Sequence, residues 1–305
     1  MKSNDADRFY INFLVDKVVG SIMIGLSPDR GDFAMSNISL GAVDADEGAS
    51  SPAGRKGYGR VIVILAVHLA VVAVWQSAVM LLDLPKYILP SPLETLQTLT
   101  RPHYSWLLNS LTTATEVFCG YALGVLIGIA LALAFSWWKW LAVILLPLFV
   151  TLNMIPKVAL GPLLIVWFGY GIGANILIAF AICFFPVLLT TARGLSEIEP
   201  DLLDLVRSLR GSRWQMFWKI QFPGALPYVF SGMKVGAVLA VAGAIVGEFI
   251  GSDSGLGYLM IQVQASLDMA GMLMAMIFLT LIGVALYGAV LALERLVVVG
   301  DVRLN

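Results

Sequence analysis

The sequence predicts an all-α membrane protein with about six transmembrane helices. Three observations predict it. The 305 residues are 59% hydrophobic and only 13% charged, roughly half the charged fraction of a soluble domain. Apolar stretches long enough to cross a bilayer recur along the chain. Lysines and arginines gather in alternate loops between them.

Residues 1–60 stand apart from the membrane domain expected over 61–300. Residues 27–60 are rich in Gly, Ser, Asp and Ala and read as a disordered tail. Residues 9–26 are apolar but interrupted by Asp16 and Lys17, and lack the basic start and cleavage site of a signal peptide. They read either as a surface amphipathic helix or as the product of a mis-assigned start codon.

Spans are expected at 61–82, 109–136, 141–168, 173–192, 229–250 and 271–294. One set of loops holds Arg55, Lys56, Arg60, Lys139, Arg193, Arg207, Arg210, Arg213, Lys219, Arg295 and Arg303, against Lys86 and Arg101 in the other. The positive-inside rule then puts both termini and the 193–228 loop in the cytoplasm. Trp137, Trp138 and Trp140 read as an interfacial anchor.

The second span carries Gly120, Gly124 and Gly128, and the fifth Gly232, Gly236, Ala240, Gly243, Gly247 and Gly251. Small residues at such spacing let helix backbones approach closely, within one subunit or across a dimer seam. The third span holds Pro147, Pro156 and Pro162. The expectation is an inner segment to about Met154, a break at Pro156 and an outer helix ending at Gly169. Such a break is either a plain kink or part of a transport pathway. Pro156, Lys157, Gly161 and Pro162 are therefore candidates for the translocation path. Glu248, near the outer end of span five, joins them. A charge at membrane depth faces water or pairs, so Lys157 with Glu248 is the expected pair. Lys234 is expected to snorkel to the cytoplasmic interface.

The 193–228 loop is built like a folded element. Ser196 and Glu199 have capping-box spacing, and Pro200 suits a first turn. A helix over 197–209 would carry Leu202, Leu205, Val206 and Leu209 on one side. Gly211 would supply the left-handed turn that ends it. Ser212 and Gln215 repeat the box and open a second short helix with Trp214, Phe217, Trp218 and Ile220, stopped by Pro223 and Pro227. The loop lies on the membrane as an amphipathic helix or docks a partner.

Several chemistries are excluded. No G-x-x-x-x-G-K-[ST] occurs, so no P-loop binds ATP here. HExxH and CxxC are missing, and His68 and His103 are far apart, so no metal site is expected. Cys119 and Cys183 sit in apolar runs as packing residues. G-x-S-x-G is missing too, which argues against an intramembrane hydrolase. A net charge of −1 points away from nucleic acid. A partner-driven transporter and a self-sufficient secondary transporter remain. The second would favour internal repeats and midplane ionisable pairs, and no convincing repeat is seen.

The loop resembles the EAA motif of ABC-importer permeases: EAA, three residues, Gly, nine residues, I-x-L-P. Asp204, Leu205 and Val206 stand at EAA, and Ile220, Gln221, Phe222 and Pro223 at I-x-L-P. Asp replaces Glu, and Arg210 stands at the glycine with Gly211 one later, so the helix is expected to end one residue late. Further blocks resemble the nitrate/sulfonate/taurine branch across about 60–300: Tyr87 to Pro92, Ile155 to Pro162 with Trp167 to Gly169, Phe184 to Pro186, and Gly247 to Phe249 with Ser254 to Tyr258. The resemblance implies a MetI-like fold in a bacterial inner membrane and a non-catalytic permease homodimer surrounded by lipid. It implies two cytoplasmic ATPase subunits, which would hold the ATP and Mg, and an extracytoplasmic binding protein. No cofactor is expected on this chain. Contacts to the ATPase would come from Glu199, Asp201, Asp204, Leu205, Arg207, Leu209, Arg210, Gly211, Ser212 and Trp214. The substrate would be a small polar or anionic nutrient of sulfonate/taurine, nitrate or pyrimidine-precursor type.

Overall fold

The computed structural model describes residues 56–198 and 200–298, so the expected tail up to residue 55 and Glu199 lie outside it. Every regular element among the described residues is helical. Helix α1 is Lys56–Leu81, a short α2 follows at Pro92–Gln97, and α3 is Trp106–Trp137. Next come α4, Lys139–Asn153, α5, Leu160–Phe168, and α6, Ile172–Ser196. The loop contributes α7, Pro200–Ser208, and α8, Arg213–Met216. Helix α9 is Phe222–Gly251, α10 is Leu256–Ala265 and α11 is Met269–Val297. All six expected spans are present if the bent pair α4 and α5 counts as one.

The described residues from Val67 onward gather into one compact unit. Its centre is α6, clasped between α3 and α9, with α11 packed on α9 and α10. The glycine stripes of α3 and α9 both face α6, so they pack helices within the subunit. The core around this seam includes Val117, Ala179, Cys183, Met233, Ala237, Ala240 and Leu286. Large apolar side chains such as Val71, Leu126, Val166 and Leu281 remain exposed. Lipid covers such a surface without penalty.

Of the three prolines in span three, only Pro156 breaks it. Helix α4 ends at Asn153, a 3-10 turn covers Lys157–Ala159, and α5 leaves at 85°. Pro147 stays inside α4. Pro162 falls in the first turn of α5, where a missing backbone N–H has no helical acceptor to serve.

The loop departs from expectation at three places. Ser196 is the last residue of α6, and its hydroxyl donates to the Arg193 carbonyl at 2.8 Å. It closes the preceding helix, and α7 begins at Pro200. Pro223 and Pro227 do not stop the second helix: a π turn, Phe217–Gln221, joins α8 to α9 without interruption. The Phe222 N–H reaches back five residues to the Phe217 carbonyl. That wider turn absorbs the donor missing at Pro223. The third departure is at the end of α7, where Arg210 rather than Gly211 takes the left-handed conformation.

Lys234 does not snorkel. It pairs with Glu294 of α11 at 2.8 Å, both half-buried. Helix α2 was not foreseen although Ser91 and Glu94 form a capping box, with bonds of 3.1 and 3.2 Å. Lys86 joins Glu94 at 2.6 Å and, with Ser91, holds its carboxyl below the usual carboxylate range. The Tyr104 hydroxyl donates to Asp268, tying the segment before α3 to the start of α11.

Candidate functional site

Two constructions stand out, one at each end of the bundle. The first is the loop. Leu202 and Leu205 of α7, and Leu209 just past its end, are 41, 56 and 74% exposed. They form an uncovered apolar ridge flanked by exposed Asp201, Asp204, Arg207 and Arg210. Asp204 and Arg207 pair at 2.6 Å on the surface, a contact worth well under about 1 kcal/mol.

The end of α7 inverts the expected roles of two residues. Arg210 takes the left-handed conformation, at φ 55°, while Gly211 does not. The Arg210 N–H donates to Arg207 and the Gly211 N–H to Val206, at 3.0 and 2.9 Å. Those two bonds make a Schellman closure with arginine at its left-handed position. Glycine is needed one residue later for room, since a Cβ on Gly211 would lie 2.5 Å from Val206 Cγ1. The helix therefore ends in register with the motif's glycine. A side chain in the left-handed region costs about 1 kcal/mol. Arg210→Gly is accordingly expected to slow amide exchange at Arg210 and Gly211 several-fold; faster exchange would contradict the strain.

Ser212 opens α8 with a complete capping box to Gln215, at 2.9 and 3.2 Å. Trp214 is 61% exposed, with its ring 5.7 Å from Trp137 and 5.5 Å from Trp218. The loop is also tied at its base. Arg193 donates to Glu197 at 2.6 Å. The Tyr228 hydroxyl, and then Arg193, hold the Glu197 carboxyl below its usual range. Described members of the expected coupling set, from Asp201 to Trp214, thus lie together on one anchored loop.

At the opposite end, the expected path residues separate. Pro156 and Pro162 are exposed, and Gly161 is buried against Ile250. Lys157 and Glu248 do not pair. The Lys157 ammonium donates to the Asn153 carbonyl at 3.2 Å and lies 5.6 Å from the Phe185 ring. Glu248 is 1% exposed and held elsewhere.

Glu248 caps α10 from a distance. Its carboxylate accepts the Gly257 N–H and bonds the Tyr258 backbone, both in the first turn of α10. The Thr113 hydroxyl donates to it at 2.5 Å and accepts the Leu256 N–H at 2.8 Å. Asn109 accepts the Gly255 N–H at 2.9 Å. A negative group there satisfies otherwise free donors and meets the positive end of the helix dipole. Beside Glu248 lies Glu116 of α3, 0% exposed, which accepts from Asn175 of α6 at 2.8 Å. Sequence reasoning missed Glu116, Asn175, Thr113 and Asn109. The signal was there, since Asn109, Thr113 and Glu116 repeat at helical spacing on one face of an apolar span.

Comparison with known proteins agrees with this architecture. The family described as the binding-protein-dependent transport system inner membrane component matches residues 124–299. A probable ABC transporter permease protein of Haemophilus influenzae is 36% identical over 215 residues, 70% of this chain and 87% of the relative. The formylaminopyrimidine transport permease protein ThiX of Halalkalibacterium halodurans is 28% identical, covering 75% of this chain and 91% of its own. The riboflavin transport system permease protein RibX of Chloroflexus aurantiacus is 33% identical, covering 73% and 84%. Permeases named for aliphatic sulfonates, nitrate, taurine and bicarbonate are also similar. A match over more than half the chain, together with a relative 36% identical over 70% of it, means that this protein belongs to the inner-membrane permeases of binding-protein-dependent ABC transport systems.

Proposed function

We propose that this chain is the translocation subunit of an ATP-driven importer, working as a homodimer with two cytoplasmic ATPase subunits and an extracytoplasmic binding protein. Both termini and the 193–228 loop lie in the cytoplasm on this reading, as the lysine and arginine distribution favours. The observation that carries it is the exposed Leu202, Leu205 and Leu209 ridge, on a helix closed at its end and in a loop whose start is held to α9 through Glu197 and Tyr228. A monomer gains nothing by ordering an uncovered apolar ridge, whereas a rigid one transmits motion from a partner that seats it. Helix-in-groove docking of this kind reads anchors at spacings of three and four. Asp201, Asp204, Arg207 and Arg210 frame that contact, with Ser212 and Trp214 orienting the loop behind it. The broken third span, from Pro156 to Pro162, lines the path. The cargo is a small polar nutrient. The named relatives support the pyrimidine-precursor, sulfonate and nitrate types and add riboflavin to the range.

Co-purification of the tagged full-length chain with its cognate ATPase tests the reading. Wild type is expected to retain the ATPase. Leu205→Asp and Leu209→Asp, at exposed positions, are expected to lose it at least tenfold while keeping the same elution volume and helical content. Undiminished retention by both variants would rule out α7 as the docking helix.

A further inference from the structure

The pair Glu116 and Glu248 has a chemistry that transport coupling does not require. Both carboxyls are shut away from solvent, at 0 and 1% exposure, and lie alongside each other. Glu248 has a full set of donors: the Thr113 hydroxyl and the backbone at the start of α10. Glu116 does not. Its Oε1 accepts from Asn175, while no donor reaches Oε2. A buried carboxylate oxygen without a donor is costly.

No base is at hand to balance the second charge. Helix α3, α6 before Arg193, the 252–268 segment and α11 before Arg295 contain no lysine, arginine or histidine. On α9 the one base, Lys234, is engaged with Glu294, and Lys157 on the neighbouring broken span is turned to Asn153. The remaining titratable groups nearby are Asp253, which is exposed and accepts from Ser254, and Tyr258, whose hydroxyl accepts from Gln262. Tyr104 and Asp268 bond each other further out, and Tyr121 and Cys183 lie deeper along α3 and α6.

Something must still supply positive charge between the two carboxyls. A metal ion needs oxygens that can open to its radius, and these are already packed on backbone. A Cβ on Gly255 would meet Glu248 Oε1 at 2.3 Å, and one on Gly247 would meet Asn175 Oδ1 at 2.5 Å. The smallest cation fits. We propose that Glu116 and Glu248 form a proton-binding site, in which one proton carried on Glu116 points at the carboxylate of Glu248. Two facing carboxyls in a dry site share a proton for the same reason that catalytic carboxyl dyads do. The arrangement divides the work. Glu248 keeps the negative charge that caps α10, and Glu116 stays neutral, donates to it, and bonds Asn175. The proton thereby joins α3, α6, α9 and α10.

Infrared difference spectroscopy of the full-length protein in lipid nanodiscs tests this without any transport assay. Wild type at neutral pH is expected to show the C=O stretch of a buried protonated carboxyl, shifted in heavy water. Glu116→Gln, which mimics the neutral acid in shape and donors, is expected to lose that band and keep the wild-type unfolding temperature. Glu248→Gln is expected to shift the band and lower the unfolding temperature, because the cap of α10 loses its charge. Absence of the band in wild type overturns the proposal. So does its full survival in Glu116→Gln, or unfolding of that variant well below wild type, which would show that a charged Glu116 is needed.

Discussion

Gly255→Ala is expected to be among the most damaging single-methyl changes in this protein. Two costs combine. Gly255 sits at φ 109° with ψ 166°, a region in effect reserved for glycine, where a side chain costs about 1–3 kcal/mol. The new Cβ would also fall 2.3 Å from Glu248 Oε1, on the group that caps α10. Pushing that carboxylate aside costs the equivalent of one charge-assisted bond to the first turn of α10, about 1.5–3 kcal/mol. The total, roughly 3–6 kcal/mol, is a large share of a typical domain's stability. Gly257→Ala meets Glu248 Oε2 at 2.7 Å without an unusual φ, so it should be milder. Thermal unfolding in detergent, followed by size-exclusion fluorescence, reads both. The expected order is wild type, then Gly257→Ala, then Gly255→Ala. A Gly255→Ala protein that unfolds with wild type would show that Glu248 is not seated as described.

That contact also marks where sequence reading stops. The spans were legible because bilayer thickness imposes a length and an apolar composition on each. The break at Pro156 was legible because proline acts locally. The Ser212 box was visible in four consecutive residues. Glu248 was noticed as an unusual charge, but its partner was assigned to the wrong side. Lys157 was the obvious counter-charge, whereas the true partners are backbone N–H groups of α10, which carry no sequence signature, and the Thr113 hydroxyl on α3, whose place on a polar face was visible but whose distant partner was not. Arg210 shows the same limit at smaller scale. Composition favoured Gly211 for the left-handed turn, while the bond pattern put Arg210 there and reserved Gly211 for clearance over Val206. Lys234 looked like a snorkelling cation because Glu294 lies 60 residues away in sequence. Local rules reached most of what neighbours in sequence decide, with Ser91, Ser196 and Arg210 as exceptions, whereas contacts between distant helices needed the fold.

The seam around α6 gives the other large effect, and it separates side-chain from backbone contact. Gly124→Ala would bring its Cβ to 2.4 Å from Cys183 Sγ, an overpacking expected to cost about 1–3 kcal/mol. Cys183 is fully buried, and Cys183→Ala alone leaves a small void. Together the two changes exchange one atom for another, since the next contacts of the Gly124 Cβ, on Phe184, lie at 3.4 Å or beyond. The double variant is therefore expected to recover most of the loss, with a coupling energy of about 1–3 kcal/mol. Gly243→Ala has no such remedy. Its Cβ would stand 2.7 Å from the Ala179 Cα and 3.2 Å from the Ala179 N, so only separation of α9 from α6 can relieve it. Ala179→Gly should leave the Gly243→Ala defect in place. Between membrane helices lipid is as apolar as the partner, and close packing supplies much of the association. Forcing one pair apart along such a seam should cost more than one local overpacking. Unfolding temperatures of the five variants decide it: failure of Cys183→Ala to rescue Gly124→Ala, or rescue of Gly243→Ala by Ala179→Gly, would mean that α3, α6 and α9 do not meet at these atoms.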